Sequence, residues 1–445
     1  MATSPKSVEI RGYQVGFGDC FLLSFVYSAS DKRHVLIDFG TTELPTRGTP
    51  RKAAKASEHM PQVASDIAKV CGGSLTAVVA THRHADHISG FGTDGKTGKS
   101  GETIKALKPK VVLQPWTEDP QAAKDATKAT ANSLRSPKSF TAGLTAMHNI
   151  AEAVFQLANS RPAWMSPAIQ RELRFLGMDN ISNKSAVDNL IAMGAAKGGT
   201  AVWAHHGSNA GLEKLLPGVK VHVLGPPDLT QTEKIRKMRK TDPDQFWHLL
   251  AGPKSLQTAE PLAKGLGNGR AARGHRVPPE ARWFRDRLER MRGEQLLQIV
   301  RALDDQMNNT SLILLFDVFG KKLLFPGDAQ IENWSYALED APDAAKTRAL
   351  LADVDVYKVG HHGSLNATPK RLLWEDFTHR NKTGAQRLVT LLSTMPGKHG
   401  KVANKSEVPR RPLLAALKAE STLSSTDDLP FGKNPTFCYQ VDVKR

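Results

Sequence analysis

One short segment, "VVATHRHADH" at residues 78–87, constrains the fold and chemistry of this chain more than any other. An apolar run typical of a buried strand ends there, and three histidines and an aspartate follow within six positions. Side chains two apart along an extended backbone point the same way, so His82 and His84 can bind one metal ion. If the chain then turns into a helix or loop, Asp86 and His87 reach an adjacent position and can hold a second ion. Imidazole and carboxylate ligands suit Zn, Mn or Fe better than Ca or Mg.

Further metal-binding residue types follow predicted strands far downstream. Asp328 comes at the end of "LFPGDA", and His361 and His362 come after the apolar run in "YKVGHHGS". A carboxylate can bridge two ions, and one more histidine can complete the second site. A cluster of surface histidines is the alternative interpretation, but the combined spacing of these groups favours a metal site.

Alternating apolar and turn residues predict an α/β fold around the histidine segment. The segments "VEIRGYQV", "CFLLSFVY" and "HVLIDFG" are typical of paired strands, and "MPQVASDIAKVCGG" has helical spacing before the strand in "LTAVVATH". A β-rich start therefore gives way to a βαβ arrangement. Downstream, "TSLILLFDVFGKKLLFPGDA" predicts a hairpin and "FCYQVDV" predicts an edge strand.

The middle of the chain differs from both ends and divides it into three parts. Residues 118–300 are largely helical in pattern and basic, around one or two core strands such as "VKVHVLGPPDL". We interpret them as insertions into a fold that residues 1–117 begin and residues 301–445 complete. The insertions are a candidate docking surface for a protein partner.

The chain is strongly basic, with 61 Lys and Arg against 44 Asp and Glu, a net charge of +17 and a pI near 9.7. Residues 231–292 alone hold 15 basic and 7 acidic side chains, with Trp283 and Phe284 among arginines. This favours a nucleic acid or nucleotide partner, because such a surface can hold a phosphate backbone and stack a base. A solvated helix face with pairs such as Arg285 and Glu289 is the alternative.

The sequence predicts a cytoplasmic protein that does not bind the membrane. No apolar run reaches the length of a bilayer span, and "MATSPKSVEI" lacks the apolar core of a secretory signal. The cysteines Cys20, Cys71 and Cys438 are odd in number and far apart, which argues against a disulfide framework and against a thiolate zinc site.

Five segments in chain order resemble the metallo-β-lactamase superfamily, and within it the ComEC/Rec2-like branch of hydrolases. They are "VGFGDCFLL", "VLIDFG", "THRHADHISG", "NNTSLILLF…KKLLFPGDA" and "VDVYKVGHHGS", which cover both ends of the chain but not its middle. The resemblance implies an αββα metallo-β-lactamase sandwich with large helical insertions. In that fold two mixed sheets face each other between outer helices, and the metal site lies along one edge at the strand ends.

The resemblance also implies a ligand set for two divalent metal ions, Zn or Mn. It makes His82 and His84 ligands of the first ion, and Asp86 and His87 ligands of the second. Two such ions can lower the pKa of a bridging water and neutralise charge on a phosphoryl or carbonyl oxygen. We expect Asp86 both to bind metal and to orient the attacking hydroxide.

The downstream residues complete this implied site. Asp328 would bridge the two ions, and His361 would be the remaining ligand of the second. We expect His362 to act catalytically, by binding a substrate oxygen or by protonating a leaving group. A hydrogen bond that fixes the strand end is the alternative role for His362.

One departure from the family pattern concerns the first site. Many members place another histidine between the first motif and the bridging aspartate, and none comes directly before "NNTSLILLF". His205 and His206 in "AVWAHHGSNA" are candidates, and a site completed by water is the alternative. We expect Asp38 in "LIDFG" to orient a ligand instead of binding metal, and Gly18–Asp19 and Gly327 to serve tight turns near the metals.

The combined features predict a metal-dependent hydrolase, a phosphodiesterase or nuclease acting on nucleic acid or nucleotides through a metal-activated hydroxide. Hydrolysis of a carboxylic ester, lactone or amide by the same centre is one alternative. A partner-binding or effector subunit of a larger assembly, such as a defence system, is another. Metal-dependent nucleic acid cleavage that Asp86→Ala abolishes would separate the first two, and partner binding retained in a His82→Ala/His84→Ala protein, with no turnover in either form, would favour the third.

Overall fold

The computed structural model describes residues 4–47, 52–119, 167, 169–170, 173, 184–228, 230–232, 307–364, 367–398, 407–431 and 436–445. The helix predicted at "AGLTAMHNIAEAVFQLA" and nearly all of the basic stretch 231–292 lie outside these residues. The predicted nucleic acid surface around Trp283 and Phe284 therefore stays a prediction. Among the described residues, no helix combines the length and the apolar character that a membrane span requires.

The described residues form fifteen strands and seven α-helices. In chain order the strands are β1 Ser7–Tyr13, β2 Cys20–Val26, β3 Lys32–Phe39, β4 Thr46–Arg47, β5 Lys52–Ala53, β6 Ala77–Val79, β7 Val111–Pro115, β8 Ala201–Ala204, β9 Val219–Gly225, β10 Ile313–Val318, β11 Lys321–Phe325, β12 Val356–Lys358, β13 Val389–Leu392, β14 Thr422–Ser425 and β15 Cys438–Lys444. The helices are α1 Ala56–Val70, α2 Ala85–Ile88, α3 Ser100–Ala106, α4 Lys184–Gly194, α5 Ile331–Ser335, α6 Ala344–Ala352 and α7 Arg411–Glu420.

Two mixed sheets contain all of these strands except the β4–β5 pair. One has seven strands in the order β15-β1-β2-β3-β6-β7-β8, and the other has six in the order β14-β13-β12-β11-β10-β9. The seven-stranded sheet is antiparallel from β15 to β3 and parallel from β3 to β8. The predicted α/β class is confirmed, as are the β3–α1–β6 crossover, the β10–β11 hairpin and the edge position of β15.

The two sheets face each other across a shared apolar core. The ring of Phe21 in β2 lies 5.9 Å from that of Phe325 in β11, and Phe25 lies 5.9 Å from Phe316 in β10. Leu22 points to the opposite face of its sheet, because side chains alternate along a strand. Burial on both faces explains why the strand segments are almost continuously apolar, and each fully buried Leu or Phe contributes about 1.5–3 kcal/mol.

Helices cover the outer face of each sheet. Met60 of α1, Ile104 of α3 and Leu190 of α4 belong to the core on the outer side of the seven-stranded sheet. Helices α5, α6 and α7 contribute to the equivalent core on the other sheet. The described residues thus form four layers, with two sheets inside and helices outside.

Candidate metal centre

The histidine segment leaves β6 and turns into the short helix α2, which carries Asp86 and His87. Two glycines from neighbouring loops lie directly against the backbone of this helix. A Cβ atom on Gly40 would lie 2.4 Å from the carbonyl carbon of Asp86, and one on Gly18 would lie 2.7 Å from its carbonyl oxygen. Only glycine permits so close an approach, so these two positions fix where α2 sits.

Four buried side chains meet around one point beside α2. Asp86, His87, Asp328 and His362 each offer a ligand atom, and these atoms all lie within 4.8 Å of one another. His87 Nε2 is 3.0 Å from Asp328 Oδ2, and His362 Nε2 is 2.9 Å from Asp86 Oδ2. The residues come from α2 and from the turns after β11 and β12. These buried Asp and His groups could hold a metal ion.

His82 and His84 lie against the same cluster. Their side chains point the same way, as predicted, with His82 Nε2 3.0 Å from His84 Nδ1. The ring of His82 lies 4.2 Å from the ring of His87, measured between centroids. All four candidate ligand side chains of the histidine segment, His82, His84, Asp86 and His87, are therefore buried together.

His361 and His362 occupy different positions although they are adjacent in sequence. His362 is fully buried, and its Nδ1 lies 3.0 Å from the carbonyl oxygen of Ser393. The His361 side chain is 25% exposed, and its Nε2 lies 3.8 Å from Asp328 Oδ2. His362, and not His361, belongs to the group of four around the common point, so the assignment of His361 as the ligand stays a prediction.

The backbone at this pair is strained. His361 and His362 have φ angles of 43° and 51°, in the left-handed region that residues with a Cβ seldom adopt. Such strain persists only where surrounding contacts impose it, and it is common at functional sites. Here the backbone N–H of His361 donates to Asp328 Oδ1 at 3.1 Å, which ties the strained turn to the cluster.

Asp38 hydrogen-bonds to His87, which fits the orienting role predicted for it. Its Oδ2 accepts a hydrogen bond from His87 Nδ1 at 2.7 Å, and its two oxygens also accept from the backbone N–H and hydroxyl of Thr81, both at 2.7 Å. A carboxylate behind an imidazole fixes its tautomer, so His87 Nε2 is directed toward Asp86 and Asp328. Gly327 has a φ of 55°, as the tight turn predicted there requires.

Two further buried charged residues, Asp19 and Lys358, lie at this site; the sequence predicted only a tight turn for Asp19 and no role for Lys358. Lys358 Nζ forms an ion pair with Asp19, donates to the carbonyl oxygen of Gly327 at 3.2 Å and lies 3.7 Å from Asp328 Oδ1. Asp19 also lies 3.6 Å from His362 Nδ1. The available signal was a charged residue inside each of two apolar runs, "VDVYKV" and "FGDCFLL".

Negative charge exceeds positive charge among these buried groups. Asp19, Asp38, Asp86 and Asp328 are each at most 4% exposed, and Lys358 is the one lysine or arginine among the described residues that contacts them. Buried charges are stable only when they are paired or bind a metal. The Oδ1 atom of Asp86 is buried and forms no hydrogen bond with any described residue. The donor set and its charge therefore fit a divalent cation.

The pKa values follow from this crowding. Burial raises the pKa of Asp86 and of Asp328, but neighbouring positive groups together outweigh it and hold both pKa values below the usual range. These groups are His87 and His362 around Asp86, and His87, His361 and Lys358 around Asp328. Burial lowers the pKa of His87, but Asp328, Asp86 and Asp38 raise it well above normal. The cluster thus stabilises positive charge at His87, where a divalent cation would compete with a proton.

His205 and His206 do not supply the missing ligand of the first site. His206 Nδ1 lies 2.8 Å from the carbonyl oxygen of Leu224, and its Nε2 lies 2.8 Å from Asp343 Oδ1. Both ring nitrogens are therefore engaged away from the cluster. His205 Nδ1 contacts the carbonyl oxygen of His206 at 3.0 Å, and no described contact joins it to His82 or His84.

Comparison of the chain with models of known protein families found no match, and comparison with curated proteins found none. A functional conclusion therefore depends on the residues and geometry of the centre itself.

Proposed function

We propose that the protein is a metal-dependent hydrolase of the metallo-β-lactamase superfamily, ComEC-like, which cleaves phosphodiester bonds in nucleic acid or nucleotides with two divalent ions, Zn or Mn. One observation carries the proposal: Asp86, His87, Asp328 and His362 meet within 4.8 Å in a buried cluster with excess carboxylate charge. The four layers support an αββα sandwich of this superfamily, with residues 118–300 as insertions around the core strands β8 and β9.

We assign the side chains of the centre two roles: some would hold the metal ions, and others would act on the attacking water or the substrate. When bound, the cations would supply Lewis acidity that lowers the pKa of water and neutralises charge on a phosphoryl oxygen. Asp86 would hold a cation, and its Oδ1, which lacks a hydrogen-bond partner among the described residues, would accept a hydrogen bond from the attacking water and orient it.

The adjacent histidines receive roles according to their exposure. His362 is fully buried and directed at Asp86, which suits a metal ligand. His361 reaches solvent at the edge of the cluster, which suits contact with a substrate oxygen or a leaving group. This exchanges the roles that the sequence resemblance implies for the two residues.

The charge of the chain favours a phosphodiester over a neutral ester. A net charge of +17 raises the local concentration of polyanions and steers them toward the protein. A carboxylic ester, lactone or amide gains little from this field.

Metal analysis of the purified protein, combined with a substrate screen, tests the proposal. The screen contains bis-p-nitrophenyl phosphate, single- and double-stranded DNA, RNA and cyclic nucleotides. We expect metal-dependent hydrolysis of a phosphodiester, and a loss of about 100-fold or more in kcat for Asp86→Asn. Asp343→Asn is the matched control, because Asp343 also pairs with a histidine but lies outside the centre, and it should retain activity.

Two results would contradict the proposal. Turnover of carboxylic esters or lactones without phosphodiester cleavage would assign the centre to a different substrate class. Purified protein that binds neither Zn nor Mn would remove the metal centre altogether.

A further inference from the structure

Lys358 is a buried lysine at the end of the short strand β12. Its side chain is 2% exposed, and its neighbours Val356 and Tyr357 are core residues. An ammonium group loses its hydration on burial, so a lysine is retained in such a place only where carboxylates or carbonyl oxygens compensate it. The contacts of Lys358 therefore indicate what this charge does.

Among the described residues, the polar contacts of Lys358 border the candidate metal centre, and the ion pair with Asp19 is the shortest of them. Its Nζ pairs with Asp19, donates a hydrogen bond to the carbonyl oxygen of Gly327 at 3.2 Å and approaches Asp328 Oδ1 to 3.7 Å. These groups come from the start of β2 and from the turn after β11. A single cation thus holds together two loops that shape the centre.

The ring of His87 separates two groups of potential ligands. On its Nε2 side lie Asp86, Asp328 and His362, the group described above. On its Nδ1 side, Asp19 and Asp38 form a second set with His87, whose ligand atoms also lie within 4.8 Å of one another. By residue type alone either side could attract a cation, but Lys358 is already paired with Asp19 on the second side.

We infer that Lys358 is the resident cation of the Asp19–Asp38–His87 group. Its ammonium compensates the inner carboxylates and leaves the Asp86–Asp328–His362 side of His87 for a divalent ion. Lys358 is thus a positioning residue that assembles one half of the cluster before metal binds. The charge pairing stands on its own, whereas the direction of metal to one side rests on the proposed function.

A double-mutant cycle on the full chain, treated with a chelator, tests the charge pairing. Lys358→Met leaves Asp19 buried without its partner, so we expect the melting temperature to fall on the order of 5 °C. Asp19→Asn should lower the melting temperature by a similar amount. The decrease in the double variant should be clearly smaller than the sum of the two single decreases. Lys32→Met is the control, because Lys32 pairs with Glu9 at 2.8 Å on the surface and should shift the melting temperature by about 1 °C or less.

Adding MnCl2 to the same proteins tests whether Lys358 directs the metal ion to the Asp86–Asp328–His362 side of His87. The rise in melting temperature should be larger for Lys358→Met than for the wild type, because the ion then compensates carboxylates that the lysine no longer reaches.

Additive losses in the cycle, or an equal or smaller rise in Lys358→Met, would overturn the inference. If Lys358→Met does not fold, recovery of a folded double variant supports the inference and failure of both overturns it. A wild type that no metal stabilises would instead refute the metal centre, and the chelated cycle would still decide the charge pairing.

Discussion

At the residue scale, the centre depends on His87, which contacts a carboxylate through each of its ring nitrogens. Asp38 accepts from Nδ1 at 2.7 Å, and Asp328 lies 3.0 Å from Nε2. The first contact fixes the ring, and the second faces the candidate metal site. The spacing of the histidine segment predicted that His87 would be directed at a metal, and the strand end at "LIDFG" predicted the orienting role of Asp38.

A different histidine, His34, makes the stability of the fold depend on pH. It is buried in β3, with Nδ1 2.9 Å from the hydroxyl of Ser24. Burial, together with the charges of Lys32 and Arg11, lowers its pKa to about 4. In the unfolded chain the pKa is near 6.5. The folded state therefore favours neutral His34, and this contribution is complete above pH 6.5 and is lost as the pH falls toward 4.

Replacing His34 should remove this part of the pH dependence. We expect the free energy of unfolding to fall between pH 7 and pH 4 by up to about 3 kcal/mol more in the wild type than in His34→Gln. Urea denaturation at several pH values measures the free energy of unfolding of the two proteins. Parallel curves for the two proteins would show that His34 is not the group responsible.

At the element scale, the position of α2 is set by its neighbours and not by its own four residues. A helix this short is not stable alone, and Gly18 and Gly40 approach its backbone directly. The backbone N–H of Asp19 also donates to the carbonyl oxygen of Asp86 at 2.8 Å. The ligands on α2 are therefore held by loops that precede them by more than forty residues.

Gly40→Ala should displace α2, because its new carbon would lie 2.4 Å from the Asp86 backbone. We expect a loss of about 1–3 kcal/mol in the free energy of unfolding, together with weaker metal binding. Chemical denaturation and metal titration measure the two effects. Gly92→Ala is the control, since its added carbon meets no atom nearer than 3.0 Å and should have a smaller effect. Equal effects of the two substitutions would contradict the role of Gly40.

At the scale of the whole molecule, the centre joins the two sheets. His82, Asp86 and His87 follow a strand of the seven-stranded sheet, whereas Asp328 and His362 follow strands of the six-stranded sheet. Ligands that come from both sheets make metal binding depend on the assembled fold. A metal bound there must therefore stabilise the folded state against the unfolded chain.

Metal should raise the melting temperature of the chelator-treated protein. With free ZnCl2 or MnCl2 at about 100 times the dissociation constant, the expected stabilisation is about 2.7 kcal/mol. Scanning calorimetry with and without metal measures it, and CaCl2, which prefers a shell of oxygen ligands, should have little effect. If Asp86→Asn gains as much from metal as the wild type, the ion binds elsewhere.

The sequence by itself determined the α/β class, the β10–β11 hairpin and the orientation of His82 and His84. Each of these follows from periodicity over a few neighbouring residues, which a linear pattern records. Local patterns did not identify strand β14, whose residues Thr422–Ser425 are mostly polar and are extended because they pair with β13.

Only the tertiary structure decided how the cluster is composed. The choice between His361 and His362 depends on two left-handed backbone conformations, and the inclusion of Asp19 and Lys358 depends on contacts between β2, β12 and the turn after β11. Residues more than 270 positions apart, such as Asp86 and His362, meet because two sheets pack face to face. The family resemblance implied that these segments meet, but the individual contact is a property of packing that no local pattern specifies.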